Sequence, residues 1–111
     1  MMEHDALEFV RRCVRRNSIL WTYHANMRLR SRKASRIQVT ATTESYRLVE
    51  YRDSSPPSRY LPGALIYAEH FGEVFHILFV LDADSDHVRV VTVYRPDRDR
   101  WEDDLMRRRR P

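Results

Sequence analysis

Residues 72–96, GEVFHILFVLDADSDHVRVVTVYRP, read as two strands joined by an acidic turn. Phe75, Ile77, Phe79 and Leu81 alternate with Val74, His76, Leu78 and Val80, the two-residue period of a strand. Both sets are largely apolar, so Val74–Leu81 is expected in the middle of a sheet, covered on each side. Val88–Arg95 forms the next strand, with Val88, Val90, Thr92 and Tyr94 on one face. Pro96 ends it, because proline has no N–H for the ladder. Asp82–Asp86 copies the opening of a calcium loop. The copy fails at His87, where the turn glycine belongs, and at Val93, where the bidentate glutamate belongs. It is an acidic hairpin turn.

Working outward, Ala64–Phe71 is a further strand turned at Gly72-Glu73, and Tyr46–Tyr51 is a strand before it. RDSSPPSRYLPG, residues 52–63, separates these two as a Pro/Ser-rich loop. Upstream the period changes to that of helices. Ala6, Leu7, Val10, Cys13 and Val14 mark one over residues 2–16, closed by Asn17-Ser18. Ile19–Trp21 is short and extended. Thr22 suits the N-cap of a helix from Tyr23 to about Arg32, and Ser35 could cap a third over Arg36–Ser45, with Ile37 and Ala41 facing inward. Downstream, Asp97 or Asp99 would start a short C-terminal helix carrying Trp101 and Leu105. The expected fold is α+β: a small antiparallel meander of about four strands, N-terminal helices packed on one face, and that C-terminal helix. All 111 residues form one domain, divided into an N-terminal helix (1–18), a core (19–105) and a basic tail (106–111).

A hydrophobic share of 42% with 11% aromatics excludes a disordered chain. The N-terminus, MMEHDALEFV, is charged and lacks a signal-peptide core, and no apolar run approaches the roughly 18 residues of a membrane span. A cytoplasmic location without membrane association is expected. Cys13 is the only cysteine, which removes an internal disulfide or a Cys-rich zinc site. The five histidines show no metal-ligand spacing, so neither metal nor other cofactor is expected.

The net charge of +4 hides a segregation. Arg11–Arg36 holds nine cations and no carboxylate, whereas Glu50–Leu105 carries a net −6, and Arg107–Arg110 adds four cations. Nineteen of the twenty basic residues are arginine, whose planar fork suits phosphate; a GC-rich genome would give the same bias. The uncompensated belt repels itself unless an anionic surface meets it, either RNA or an acidic protein.

Within the belt, His24, Arg28 and Arg32 fall at i, i+4 and i+8 on one helical stripe. Such a stripe is either a wet basic surface or the wall of an anion site. RNA cleavage without a metal needs an acceptor for the 2′-hydroxyl proton, cations for the phosphorane charge and a donor to the leaving oxygen. A histidine one turn from an arginine supplies two of these. At the far end of the chain, Tyr94 could exchange a proton and Arg95 bind phosphate; equally, Tyr94 could be a core residue with its hydroxyl at the rim. Trp101 either stacks on a base or anchors the terminal helix. His76, set among apolar residues, reads as a satisfied, half-buried histidine rather than a catalytic one.

TYHANMRLRSR, followed by residues 72–101, resembles family 4258 of the domains of unknown function, which looks related to the RelE/ParE-like toxins of bacterial toxin–antitoxin pairs. The resemblance covers about residues 19–105. It rests on Thr22, His24, Ala25, Arg28 and Arg32 at the front, and on Gly72, Phe75, His76, Thr92, Tyr94, Pro96, Asp97 and Trp101 at the back. It implies an antiparallel sheet with helices on one side and a cognate antitoxin as partner. Characterised relatives of this broad fold often cleave messenger RNA, sometimes on the ribosome, and others poison gyrase. The expected function is therefore a metal-independent endoribonuclease toxin of a type II pair. His24, Arg28 and Tyr94 would be catalytic, with Arg30, Arg32, Arg95 and Trp101 binding phosphate or RNA. The alternative is a non-catalytic basic protein that docks an acidic antitoxin or another partner, or a gyrase- or DNA-directed toxin.

Overall fold

The computed structural model describes residues 1–32, 34–54 and 60–110. Residues 55–59 of the Pro/Ser-rich loop, Lys33 and the last residue of the basic tail lie outside the described residues. The elements run α1 (Glu3–Arg15), β1 (Ile19–Trp21), α2 (Tyr23–Ser31), α3 (Ile37–Thr40), a 3-10 turn (Thr43–Ser45), β2 (Arg47–Arg52), β3 (Gly63–His70), β4 (Glu73–Asp82) and β5 (His87–Tyr94). The fold is α+β, as the change of period at residue 46 indicates. The sheet order is β1-β5-β4-β3-β2, with β4 in the centre.

Two differences from the expected meander matter. Ile19–Trp21 joins the sheet as a fifth strand, parallel to β5, with Ile19 beside Val88 and Trp21 beside Val90. No helix forms after Pro96 among the described residues; the segment runs through turns, closed by a bridge between Trp101 and Arg108. Its acids bond locally instead: the Asp97 carboxylate accepts from the Asp99 amide (2.9 Å) and the Asp104 carboxylate from the Met106 amide (2.9 Å). The third helix is shorter than expected, and it buries Val39 while Ile37 and Ala41 face solvent.

The sheet has two apolar faces. On one, Ala64, Ile66, Phe75, Ile77, Phe79, Leu81, Val88 and Val90 pack against Ala6, Val10, Cys13 and Val14 of α1 and Ala25 and Leu29 of α2. On the other, Leu65 packs against Trp101 and Leu105 of the C-terminal segment, with Leu78 and Tyr94 beside them. Both ends of α2 are stitched to β5. Thr22 caps the helix by accepting from the Ala25 amide (3.1 Å), while its hydroxyl donates to the Val90 carbonyl (2.8 Å). Arg32, at the other end, donates to the Val93 carbonyl.

β5 carries one residue more than its pairing with β4 requires. Phe79 lies opposite Val90 and Leu78 opposite Thr92, which leaves Val91 as a β-bulge. Val88 and Val90 therefore face the helices, whereas Thr92 and Tyr94 face the other way. A second bulge at Val49 sets Glu50 opposite Leu65 on that same face.

The β3–β4 turn places Phe71 and Gly72 at φ 51° and 80°, one residue earlier than the sequence suggested. Phe71 is 94% exposed and edge-on to His70. A bulky L-residue in the left-handed region is strained, and asparagine tolerates it better. Phe71→Asn should therefore raise stability by roughly 0.5–1 kcal/mol. Urea denaturation checks this; an unchanged or lower midpoint with unchanged slope contradicts it.

Candidate functional site

His24, Arg28 and Arg32 do share one face of α2. His24 and Arg28 are exposed, and the Arg28 Nε–H donates to His24 Nε2 (3.2 Å). The Arg28 charge reaches Arg32: burial first, and then this neighbouring cation, hold the Arg32 guanidinium below its usual range, although it stays charged at neutral pH. Among the described residues, none of Arg28, Arg30, Arg32 and Arg36 pairs with a carboxylate. Arg30 lies two positions from Arg28, so it points away from the stripe, and it is exposed.

Arg32 meets the end of β5. Together with Phe75, Val93, Tyr94 and Arg95 it lines a cavity of about 200 Å³. Arg95 stacks on Phe75 (5.1 Å) and pairs with Glu73 (2.8 Å). Of the seven site residues expected from the sequence, this cavity gathers Arg32, Tyr94 and Arg95, while His24 and Arg28 stand outside its lining.

Two arginines at the α1 end of the belt meet a distant carboxylate. Asp86, in the β4–β5 turn, takes Arg12 at 2.9 Å and Arg16 at 3.1 Å from α1. The Arg12 hydrogen bond, above all, holds the Asp86 carboxyl below the usual carboxylate range. Among the described residues, three of the four tail arginines are similarly engaged. Arg107 pairs with Asp104, Arg109 with Glu102 and Asp103, and Arg108 forms a bidentate pair with Glu50 at 2.5 and 3.0 Å.

On the sheet face away from the helices lies a larger cleft, about 590 Å³. Leu65, Leu78 and Thr92 are in its floor, Arg52 and Arg108 are among its walls, and Tyr94 lines it as well as the smaller cavity. The sequence gives little sign of this cleft. Glu50, Arg52 and Arg108 come from an edge strand and the tail, far from any motif.

Trp101 is not free to stack on a base. It is 3% exposed, edge-on to His76 at 4.5 Å, with Arg108 over its ring at 4.7 Å. Its expected place among the RNA-binding residues is corrected on that ground: it anchors the C-terminal segment to the sheet.

His76 is more deeply buried than half, with no exposed surface, and both ring nitrogens are engaged. Nε2 lies 2.6 Å from the Leu105 carbonyl and Nδ1 lies 3.2 Å from the Tyr94 hydroxyl. A carbonyl only accepts, so Nε2 carries the hydrogen of the neutral ring and Nδ1 is bare. Tyr94 therefore donates its proton inward to Nδ1. Leu105, at φ 58°, holds a conformation that costs a non-glycine residue about 1 kcal/mol. Its buried side chain and the histidine bond to its carbonyl offset that cost. Among the described residues no group of three or more His, Cys, Asp or Glu side chains is placed to hold a metal ion, and no helix is long and apolar enough to cross a membrane.

Burial lowers the His76 pKa from its ordinary 6.5, with the Leu105 carbonyl opposing the shift. An unfolded chain then takes up a proton at this ring at higher pH than the folded chain, so stability rises with pH through that interval. The His76 contribution is complete above about pH 6.5 and is lost as pH falls through the depressed pKa. Urea midpoints should drop between about pH 7.5 and about pH 5.5, and drop less in His76→Phe. Equal drops in the two proteins would remove His76 as the cause.

A family model described as Domain of unknown function (DUF4258) matches residues 21–95, and the chain belongs to that family. The match runs from the last residue of β1 to Arg95, so it contains both α2 and the end of β5. No curated protein and no solved structure matches the chain.

Proposed function

We propose that this member of the DUF4258 family is a RelE/ParE-like toxin that binds RNA and cleaves it without a metal. The observation that carries the reading is the meeting of Arg32 with Tyr94 and Arg95 around one cavity, with Arg28, a cation without a carboxylate partner among the described residues, beside Arg32. Arg28 and Arg32 are adjacent cations with no carboxylate partner among the described residues. That repulsion is relieved when a phosphodiester enters between them and the β5 end. The guanidinium groups then stabilise the phosphorane charge, and His24, one turn away, takes or returns a proton. RNA is the substrate and an acidic cognate antitoxin the partner, in a cytoplasmic setting.

A second reading is favoured by a specific contact. His24 Nε2, the nitrogen that would accept a proton, is occupied by Arg28, and His24 lines neither cavity. A non-catalytic protein that uses the same cations to dock nucleic acid or an acidic partner needs no free imidazole.

Incubating the purified chain with RNA in EDTA separates the two. Cleavage by the wild type should fall about 100-fold or more in His24→Ala and about 10-fold or more in Arg28→Ala. Persistence of cleavage in both variants removes the mechanism. Salt-sensitive RNA binding without cleavage by the wild type favours the second reading.

A further inference from the structure

Tyr94 sits between the two cavities with its hydroxyl hydrogen already committed. The commitment starts at the Leu105 carbonyl, 29 residues along the chain from His76, which fixes the His76 hydrogen on Nε2. Bare Nδ1 then takes the Tyr94 hydrogen. What Tyr94 offers outward is oxygen lone pairs alone. A phosphate oxygen is an acceptor too, so Tyr94 is the wrong partner for it; the arginines are the right ones. The group that complements Tyr94 is a hydrogen-bond donor attached close to a phosphate.

We propose that the Tyr94 hydroxyl, oriented by His76, accepts a hydrogen bond from the ribose 2′-hydroxyl of a nucleotide whose phosphate lies against Arg32. Tyr94 is then the residue that selects RNA over DNA, and His76 is a positioning residue that acts through it. This rests on the nucleic-acid reading above, and adds to it a sugar specificity. The ribose is the part of a nucleotide that carries a donor next to the phosphate in RNA and lacks it in DNA. The cleft beyond Tyr94 has an apolar floor at Leu65 and Leu78, which suits the base attached to that sugar. Trp101 covers His76 and Arg108 covers Trp101, and the ring has no exposed surface, so no solvent competes for it and its tautomer is held.

The test uses the four nucleoside 3′-monophosphates and their 2′-deoxy counterparts, which cannot be cleaved, titrated into the full chain by NMR. The wild type should bind at least one ribonucleotide about 3- to 10-fold more tightly than its deoxy form, the worth of one hydrogen bond. Tyr94→Phe should bring that ratio to about 1, by weakening the ribonucleotide more than its deoxy form. His76→Phe should do the same, since Tyr94 keeps its ring but loses the partner that orients it. A role in packing alone would weaken both sugars equally. Equal affinity for the two sugars in the wild type, or a ratio that survives Tyr94→Phe, overturns the inference and leaves the nucleic-acid reading standing. Binding of neither form at low salt overturns both. Should His76→Phe fail to fold, the Tyr94→Phe ratio decides alone.

Discussion

Val91 is one residue more than β5 needs to pair with β4, and the placement of the candidate site depends on it. Without the bulge, Val88, Val90, Thr92 and Tyr94 would lie on one face, as simple alternation predicts. With it, the two valines stay under the helices while Tyr94 turns to the opposite face, directly across the ladder from His76. On the helix side the neighbouring strand residues are Phe75 and Val93, both apolar. On the other face the Tyr94 hydroxyl finds an imidazole. The bulge thus converts a core position into a rim position at the end of a strand, where Arg32 arrives from the far side through the Val93 carbonyl.

A buried histidine in the central strand imposes the second constraint. A polar ring in an apolar sheet is costly unless both nitrogens are engaged. The C-terminal segment answers that need with the Leu105 carbonyl, and accepts a left-handed leucine to deliver it. Trp101 covers the ring, Arg108 covers Trp101, and Glu50 holds Arg108. These contacts stack as layers outward from one imidazole, which explains why Arg108 of the tail is folded onto the protein.

The strands and α2 were legible because local rules decide them: two-residue alternation in β3, β4 and β5, and a threonine N-cap before an apolar Ala25–Leu29 stripe. The segment after Pro96 was misread because aspartates that resemble a helix N-cap also close turns, and what selects between these is His76, a long-range partner. Periodicity is equally blind to a bulge, since one inserted residue leaves the composition of the strand unaltered. Of the candidate site, the α2 stripe and the Tyr94–Arg95 end could be found, each from its own local pattern. Their meeting could not, because it depends on β1 pairing in parallel beside β5 and carrying α2 with it. The two alternatives for Trp101, stacking on a base or anchoring the terminal segment, are decided by the same distant partner, His76.

Charge segregation illustrates the same limit. Counted along the chain, Arg11–Arg36 is a belt of uniform sign. In space it divides. At its α1 end Asp86, in the β4–β5 turn, holds Arg12 and Arg16, two arginines on one carboxylate. Among the described residues the α2 end has no such acid, although twelve carboxylates lie between Glu50 and Leu105. Those acids pair with the tail, with Arg95 and with Arg89, and the remainder do not reach α2. Exposed like charges one helical turn apart destabilise a helix by a few tenths of a kcal/mol, so their persistence on α2 is a modest cost. It becomes useful where the same helix is pinned at both ends to β5, because the cations then stand at a fixed distance from the Tyr94 hydroxyl. A free basic tail binds anions anywhere along its length. Cations held on a short helix against a strand end accept an anion in one place and one orientation, and orientation is what either chemistry or sugar selection requires.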